Sequence, residues 1–147
     1  MKITVKEYSR MVKEASPNSP HLKNFIWAFV VGGLICAMSE AFFYLFTKLG
    51  LGEENARLLA CVTLILEAAL LTGFGIFDKI AKRAGAGTLV PITGFANSVV
   101  SPAIEYKKEG FILGVGANMF KIAGPVIVYG TVASVVYGII YLVTTIL

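Results

Sequence analysis

The strongest constraint on this chain is a long apolar run near its N-terminus. Residues 25–46 contain a single charge, Glu40, and as a helix would extend about 33 Å. That length spans the hydrocarbon core of a bilayer, which is about 30 Å thick. A soluble domain of 147 residues could not bury this run together with the rest of a chain that is 56% hydrophobic. We therefore predict an integral membrane protein.

Two further runs have the length of a membrane-spanning helix, and the last of them belongs to a longer apolar stretch that starts at residue 111. One straight span needs only about 20 residues, so this stretch is predicted to break. Gly124 and Pro125 are the predicted break, because proline removes a helical hydrogen bond. A half-length helix of residues 111–123 would precede it. The three predicted spans are about residues 25–46, 58–77 and 126–146.

Residues 84–104 carry no charge, yet their glycines and prolines argue against a plain spanning helix. The predicted breaks are Gly85, Gly87 and Pro91. Basic residues flank the stretch on both sides, and such residues concentrate on cytoplasmic loops. A re-entrant or interfacial segment keeps both flanks inside. The predicted fold is an all-α integral membrane protein with three transmembrane helices plus a re-entrant or interfacial helical segment. The alternative is four or more crossings.

Residues 1–24 form a polar, basic leader ahead of a membrane domain of residues 25–147. Thr4 and Glu7 fit a capping box at the start of an amphipathic helix, which the linker of residues 16–20 is predicted to end. The basic residues of the leader place it in the cytoplasm. Two interpretations remain open: a helix that lies on a surface or docks a partner, and a simple solvated leader.

The helix predicted after Pro91 has a polar face. Thr93, Asn97 and Ser101 recur at four-residue spacing, so they share one side of it. Such a stripe could line a polar pore, and broken helices with termini near the midplane are common in transporters. Alternatively, the stripe packs against polar groups of another subunit.

Ionisable residues inside apolar runs are costly, and by default they face a bundle interior, a partner or an aqueous path. Glu67 lies at mid-span, where it could line a cation or proton path or form a protonated carboxyl bonded to a neighbouring helix. Glu40 lies nearer the end of its span, which favours the structural interpretation. Lys121 could attract an anion or extend to the headgroups. The pathway-lining candidates are Thr93, Asn97, Ser101, Glu67 and Lys121.

The sequence lacks the patterns of an enzyme: it has no Ser/His/Asp set and no phosphate-binding loop. Cys36 and Cys61 lie inside apolar runs, and the single histidine, His21, lies between prolines, so no metal site is predicted. The net charge of +4 is interpreted as a determinant of topology, not as a nucleic-acid footprint. We predict a protein without catalytic activity or cofactor, with membrane lipid as its surroundings.

Several segments resemble one known family. Residues 85–87 lead into Val90-Pro91-Ile92-Thr93-Gly94-Phe95-Ala96-Asn97-Ser98, and this joined motif is the most specific part of the likeness. It is similar to the SpoVA membrane proteins of spore-forming Firmicutes, to the AC type more than to the shorter AE type. The likeness runs from about residue 25 to the C-terminus. Further matching segments are residues 32–36, 71–75, 114–121 and 126–130.

The resemblance implies a multi-pass subunit of the spore inner-membrane system that moves dipicolinic acid as its calcium chelate. That system loads the spore core in sporulation and releases the compound in germination. The resemblance also implies partners, a SpoVAE-type membrane protein and a SpoVAD-type soluble protein. It supplies no ligand residues.

Two functions are compatible with these observations. The chain could form a channel that passes dipicolinate as part of an oligomer, with a tension-gated channel as a variant. Three membrane spans and one re-entrant hairpin, formed by residues 84–104, are too few to enclose a wide path alone. It could instead be a non-conducting membrane scaffold that docks the other SpoVA proteins.

Overall fold

The structure, a computed structural model, describes residues 4–16 and 20–146, apart from the side chain of Lys13. This part of the chain is helical and contains no strand, and three of its helices are long and apolar enough to cross a membrane. The predicted fold class is confirmed. The helices are α1 Val5–Ala15, α2 His21–Lys48, α3 Glu53–Gly73, α4 Phe77–Ala84, α5 Ala86–Leu89, α6 Ile92–Glu105 and α7 Ala117–Ile146, with a 3-10 turn, Tyr106–Glu109, and a π-helical segment, Phe111–Gly116, leading into α7.

Helix α1 begins with the predicted capping box. The Thr4 backbone N–H donates to Glu7 Oε2 at 2.9 Å, and the Glu7 backbone N–H donates to Thr4 Oγ1. The apolar face of α1 is exposed, including Val5 and Tyr8. The helix ends at Ala15. Residues 17–19 of the linker that was predicted to end it lie outside the described residues.

Helices α2 and α3 end in the same way, at a glycine in the left-handed region. Gly50 has a φ of 91° and Gly75 a φ of 67°, and each donates its N–H to the carbonyl three residues earlier. This arrangement satisfies the last carbonyls of a helix and turns the chain. The second span therefore ends at Gly73, and the predicted end at Phe77 is wrong because the turn at Gly75 stops the helix first.

The chain between α3 and α6 follows α2 from its start to its middle. Arg83 lies beside Lys23, Gly87 lies against the backbone of Ala28, and Pro91 shares a small cavity with Cys36. Gly85, with a φ of 51°, separates α4 from α5, and Pro91 separates α5 from α6. Gly87, one of the predicted breaks, lies instead within α5.

Helix α6 then returns towards the end of α3. Thr93, in its first turn, lies near Glu67, whereas Asn97, one turn later, bonds to Thr72 at the end of α3. The segments from α4 to α6 therefore form a V whose apex lies beside the middle of α2 and α3. With 14 residues, α6 is about 21 Å long, less than the hydrocarbon core.

The last apolar run departs from the sequence prediction. Helix α7 continues through Gly124 and Pro125, so the predicted break there is wrong. Pro125 removes only one backbone hydrogen bond, and apolar surroundings offer no water to compete for the bonds on either side. The chain instead turns before α7, at Gly110, whose φ is 95°.

The first part of α7 packs against α6 in the opposite direction. Gly114, in the π-helical segment that leads into α7, lies against the Tyr106 carbonyl just after α6, and Val126 of α7 shares a cavity with Ile92 at the start of α6. Beyond Val126 every described side chain of α7 is exposed.

The described chain leaves an unusually large surface uncovered. Its accessible area is 11632 Å², whereas a folded soluble protein of this mass exposes about 7,300 Å². Helix α2 has no buried residue, and the core consists mainly of small side chains such as Ala60 and Ala68. This surface matches helices that pack closely with each other and meet lipid elsewhere.

Candidate functional site

A cavity of about 480 Å³ lies between α2, α3 and the apex of the V. We call it the midspan cavity, because it is bounded by the middle of α2 and of α3. Apolar side chains make up most of its lining, among them Leu34, Leu71 and Phe77. Three polar residues also line it: Glu67, Thr88 and Thr93.

The Thr93 hydroxyl is the least satisfied group of this cavity. Thr93 is 5% exposed, and its Oγ1 has no hydrogen-bond partner among the described residues. A buried polar group without a partner costs about 1–3 kcal/mol. The Thr93 Oγ1 is itself covered by neighbouring atoms, so the hydroxyl lies within the wall of the cavity.

Glu67 lies on α3, one helical turn before Leu71, which is the last residue of α3 that lines the cavity. Its side chain is half-buried, and none of the ion pairs within residues 4–16 and 20–146 involves it. The carboxyl group therefore lines the same space as Thr93 without a cationic partner from this part of the chain. Together the two side chains provide oxygen atoms that can bind a cation, a water or a polar ligand.

Thr88 has a structural role in the wall of the cavity. It is 1% exposed, and its hydroxyl donates to the Gly85 carbonyl at 3.0 Å. This bond closes the short turn between α4 and α5. Thr88 thus holds the backbone of the V in place, and its hydroxyl, unlike that of Thr93, has a hydrogen-bond partner.

Asn97 fastens α6 to α3. The Thr72 hydroxyl lies 2.9 Å from Asn97 Oδ1 and 2.7 Å from the Ala68 carbonyl oxygen, and its single proton is shared between these two acceptors. Next to this contact, Ala68, Phe77 and Ala96 form a small buried cluster. The amide of Asn97 therefore positions the returning helix beside the midspan cavity.

Close backbone contact holds the other arm of the V against α2. A Cβ atom on Gly87 would overlap the Ala28 carbonyl oxygen, and one on Gly32 would lie 3.3 Å from the Gly87 oxygen. Only glycine at position 87 permits this approach. Small residues of this kind allow membrane helices to pack backbone to backbone.

The structure divides the candidate residues predicted from the sequence. It brings Thr93 and Glu67 to one cavity and turns Asn97 towards Thr72. Ser101 and Lys121 are exposed and do not line the midspan cavity. The predicted stripe is therefore not one continuous surface, because Thr93 is buried near the start of α6 whereas Ser101 is exposed near its end.

Sequence reasoning missed Thr72 and Thr88. Thr72 begins a Thr-Gly-Phe tripeptide that recurs at Thr93, and this short repeat was a signal that could have found it. No pattern distinguishes Thr88 from other threonines, since its burial depends on the V packing against α2.

Comparisons with known proteins agree on one family. The family model described as SpoVAC/SpoVAEB sporulation membrane protein matches residues 24–140. Stage V sporulation protein AC of Bacillus subtilis (strain 168) is 51% identical over 135 residues, covering 90% of this chain and 89% of that protein. No solved structure matches the chain. The family resemblance inferred from the sequence is confirmed.

Proposed function

The chain belongs to the SpoVAC/SpoVAEB family of sporulation membrane proteins, and from this we propose that it is a subunit of the spore's transport system for dipicolinic acid. In this proposal it resides in the inner membrane of the forespore and spore. It passes calcium dipicolinate inward in sporulation and outward in germination. The role is that of a channel-forming subunit, not of an enzyme.

The midspan cavity is the observation that carries this proposal. A solute path needs a space inside the helical bundle with polar groups that can replace water. Thr93 places a buried, unpartnered hydroxyl in the wall of such a space, and Glu67 lines the same space. The volume of about 480 Å³ lies within the range of small-ligand sites.

The charge of the cavity favours the calcium chelate over the free acid. Fully ionised dipicolinate is a dianion, which an ionised Glu67 would repel. Its one-to-one calcium complex is neutral, and calcium prefers oxygen ligands such as carboxylates and hydroxyls. Glu67 and Thr93 therefore suit a passing chelate.

The V formed by α4 to α6 supports a re-entrant segment. One arm lies beside the start of α2, and the other lies beside the end of α3. These two helix ends are on one side of the bundle, so the chain enters and leaves on that side. In the proposed topology that side is cytoplasmic, because Lys82 and Arg83 precede the V and Lys107 and Lys108 follow it. Thr88 and Thr93, on either side of the break between α5 and α6, are buried, whereas Val90 at the break is exposed and would meet lipid or a partner helix.

The exposed second half of α7 supports assembly with partners. Gly130, Ser134 and Gly138 form a ridge of small residues, and nothing lies within 4 Å of a Cβ built on either glycine. Such ridges favour close packing with another membrane helix. We place a SpoVAE-type membrane protein or a second copy of the chain there, and a SpoVAD-type soluble protein on the cytoplasmic side. The same surface favours a second candidate function, a non-conducting scaffold.

Flux measurements in liposomes test the proposal. The full chain would be reconstituted alone and with the SpoVAE-type partner, and calcium dipicolinate efflux recorded. Glu67→Gln removes the carboxylate at nearly constant volume and is expected to lower the flux several-fold. Glu40→Gln is the matched control, since Glu40 is an exposed carboxylate of α2 that does not line the cavity. Absence of flux from every preparation favours the scaffold, and equal flux from the two variants removes the midspan cavity from the path.

A further inference from the structure

A second cavity, of about 440 Å³, lies where the start of α2 meets the end of α4. We call it the basic cavity. Its lining includes Lys23 from α2 and Lys82 and Arg83 from α4, together with Asn24 and Trp27. No acidic side chain of the described chain lines it. Two helices thus bring three cations to one concave surface.

The cations of the basic cavity are unequally neutralised. Lys82 forms an ion pair with Asp78 at 2.8 Å, one turn earlier on α4. Neither Lys23 nor Arg83 takes part in an ion pair with any residue that the structure describes. Two unneutralised positive charges therefore remain at the cavity and favour an anion there.

The backbone adds further donors. Helix α2 begins after Pro20 without a side-chain cap, and its first turn contains no acidic residue. The first N–H groups of a helix lack partners within it, and the N-terminal end carries partial positive charge. Pro20, Lys23 and Asn24, all at the start of α2, line the cavity. Within this turn the Asn24 backbone N–H donates to the Pro20 carbonyl at 3.0 Å, which leaves the N–H groups of residues 21–23 as the donors that the helix itself does not use.

Trp27 indicates the depth of the cavity in the membrane. It is 42% exposed, and tryptophan concentrates at the level of the lipid headgroups. The apolar part of α2 begins at the same point. The basic cavity therefore opens where the headgroup phosphates of a bilayer lie.

We propose that the basic cavity binds a phosphate group, supplied by the headgroup of an anionic phospholipid. Lys23 and Arg83 neutralise the phosphate, and the start of α2 contributes hydrogen bonds. Bound in this way, the lipid joins the start of α2 to the end of α4 and so fixes one arm of the V. Inorganic phosphate is the alternative source of the same group. The site is separate from the midspan cavity and does not depend on the proposed transport role.

The single tryptophan of the chain provides the test, because Trp27 itself lines the cavity. The full chain would be reconstituted in phosphatidylcholine vesicles that contain phosphatidylglycerol brominated on its acyl chains, and quenching of Trp27 fluorescence would be recorded. Equally brominated phosphatidylcholine gives the reference. Lys23→Gln/Arg83→Gln is the test variant, and Lys107→Gln/Lys108→Gln removes the same charge from the exposed turn after α6.

We expect brominated phosphatidylglycerol to quench Trp27 more than brominated phosphatidylcholine does, both in the wild type and in the Lys107/Lys108 control. In the test variant the preference for phosphatidylglycerol should fall about five-fold for each neutralised cation. Inorganic phosphate, added at constant ionic strength, separates the sources: unchanged quenching supports the lipid, and reversed quenching supports a phosphate site filled from solution. An unchanged preference in the test variant, or an equal loss in the control, would overturn the proposal.

Discussion

At the scale of single residues, glycine decides how closely the V approaches α2. Gly87 lies against Ala28 without room for a side chain, whereas Gly33, one residue after the contact at Gly32, has nothing within 4 Å of a Cβ. The sequence predicted helix breaks at Gly85 and Gly87, of which only Gly85 separates two helices. It could not show that Gly87 is needed for a close contact, because that requirement comes from a residue 59 positions earlier in the chain.

The Gly87→Ala variant is expected to destabilise the protein. Its methyl group would overlap the Ala28 carbonyl, and overpacking of this kind costs about 1–3 kcal/mol. Thermal unfolding in detergent measures the effect as a lower midpoint. The matched control, Gly33→Ala, places the same methyl group in open space on α2 and should unfold no earlier than the wild type. Equal midpoints for the two variants would refute the close contact.

The capping box of α1 predicts a pH dependence outside the membrane. Hydrogen bonds from the Thr4 backbone N–H, and then from its hydroxyl, lower the pKa of Glu7 from its ordinary value of 4.5. Because the folded pKa is depressed, this contribution to helix stability is fully present above pH 4.5 and is lost as the pH falls through the lower folded value. Backbone chemical shifts at Val5 to Tyr8 should move towards coil over that range.

Glu7→Gln is the control for this titration. Glutamine can still accept from the Thr4 backbone but has no titrating group, so the transition should vanish in the variant. The same transition in both proteins would show that another group causes it.

At the scale of helices, the sequence predicted the type of each long element better than its ends. Apolar runs of 20 residues or more leave few alternatives to membrane helices, so α2, α3 and the run containing α7 were predictable. The end of α3 depends on the turn at Gly75. The continuity of α7 depends on how little a single proline perturbs a helix in apolar surroundings. Neither is decided by local composition.

The V formed by α4 to α6 leads to a labelling prediction. Single cysteines at Lys79 and Lys107, in a background without Cys36 and Cys61, should react with a membrane-impermeant reagent from the cytoplasmic side only. Both positions are exposed, one near each end of the V, whereas the apex of the V lies too deep for such a reagent. Labelling of the two positions from opposite sides would mean that α6 crosses the membrane, against the proposed topology.

At the scale of the whole molecule, the midspan cavity connects the fold to the proposed function. The sequence indicated both Glu67 and Thr93 as candidates, but only the return of α6 beside α3 places them in one space. The same geometry explains why Ser101 and Lys121 lie elsewhere. A polar stripe on an isolated helix cannot show which of its residues the neighbouring helices will cover.

Thr93→Val tests the central claim most directly, because function and stability should change in opposite directions. Valine keeps the shape of the side chain and removes a buried hydroxyl without a partner, so the free energy of unfolding should stay constant or rise. If Thr93 lines the solute path, spores whose only copy carries this variant should contain less dipicolinate at an unchanged level of the protein. Normal dipicolinate content and normal release in germination would contradict the account.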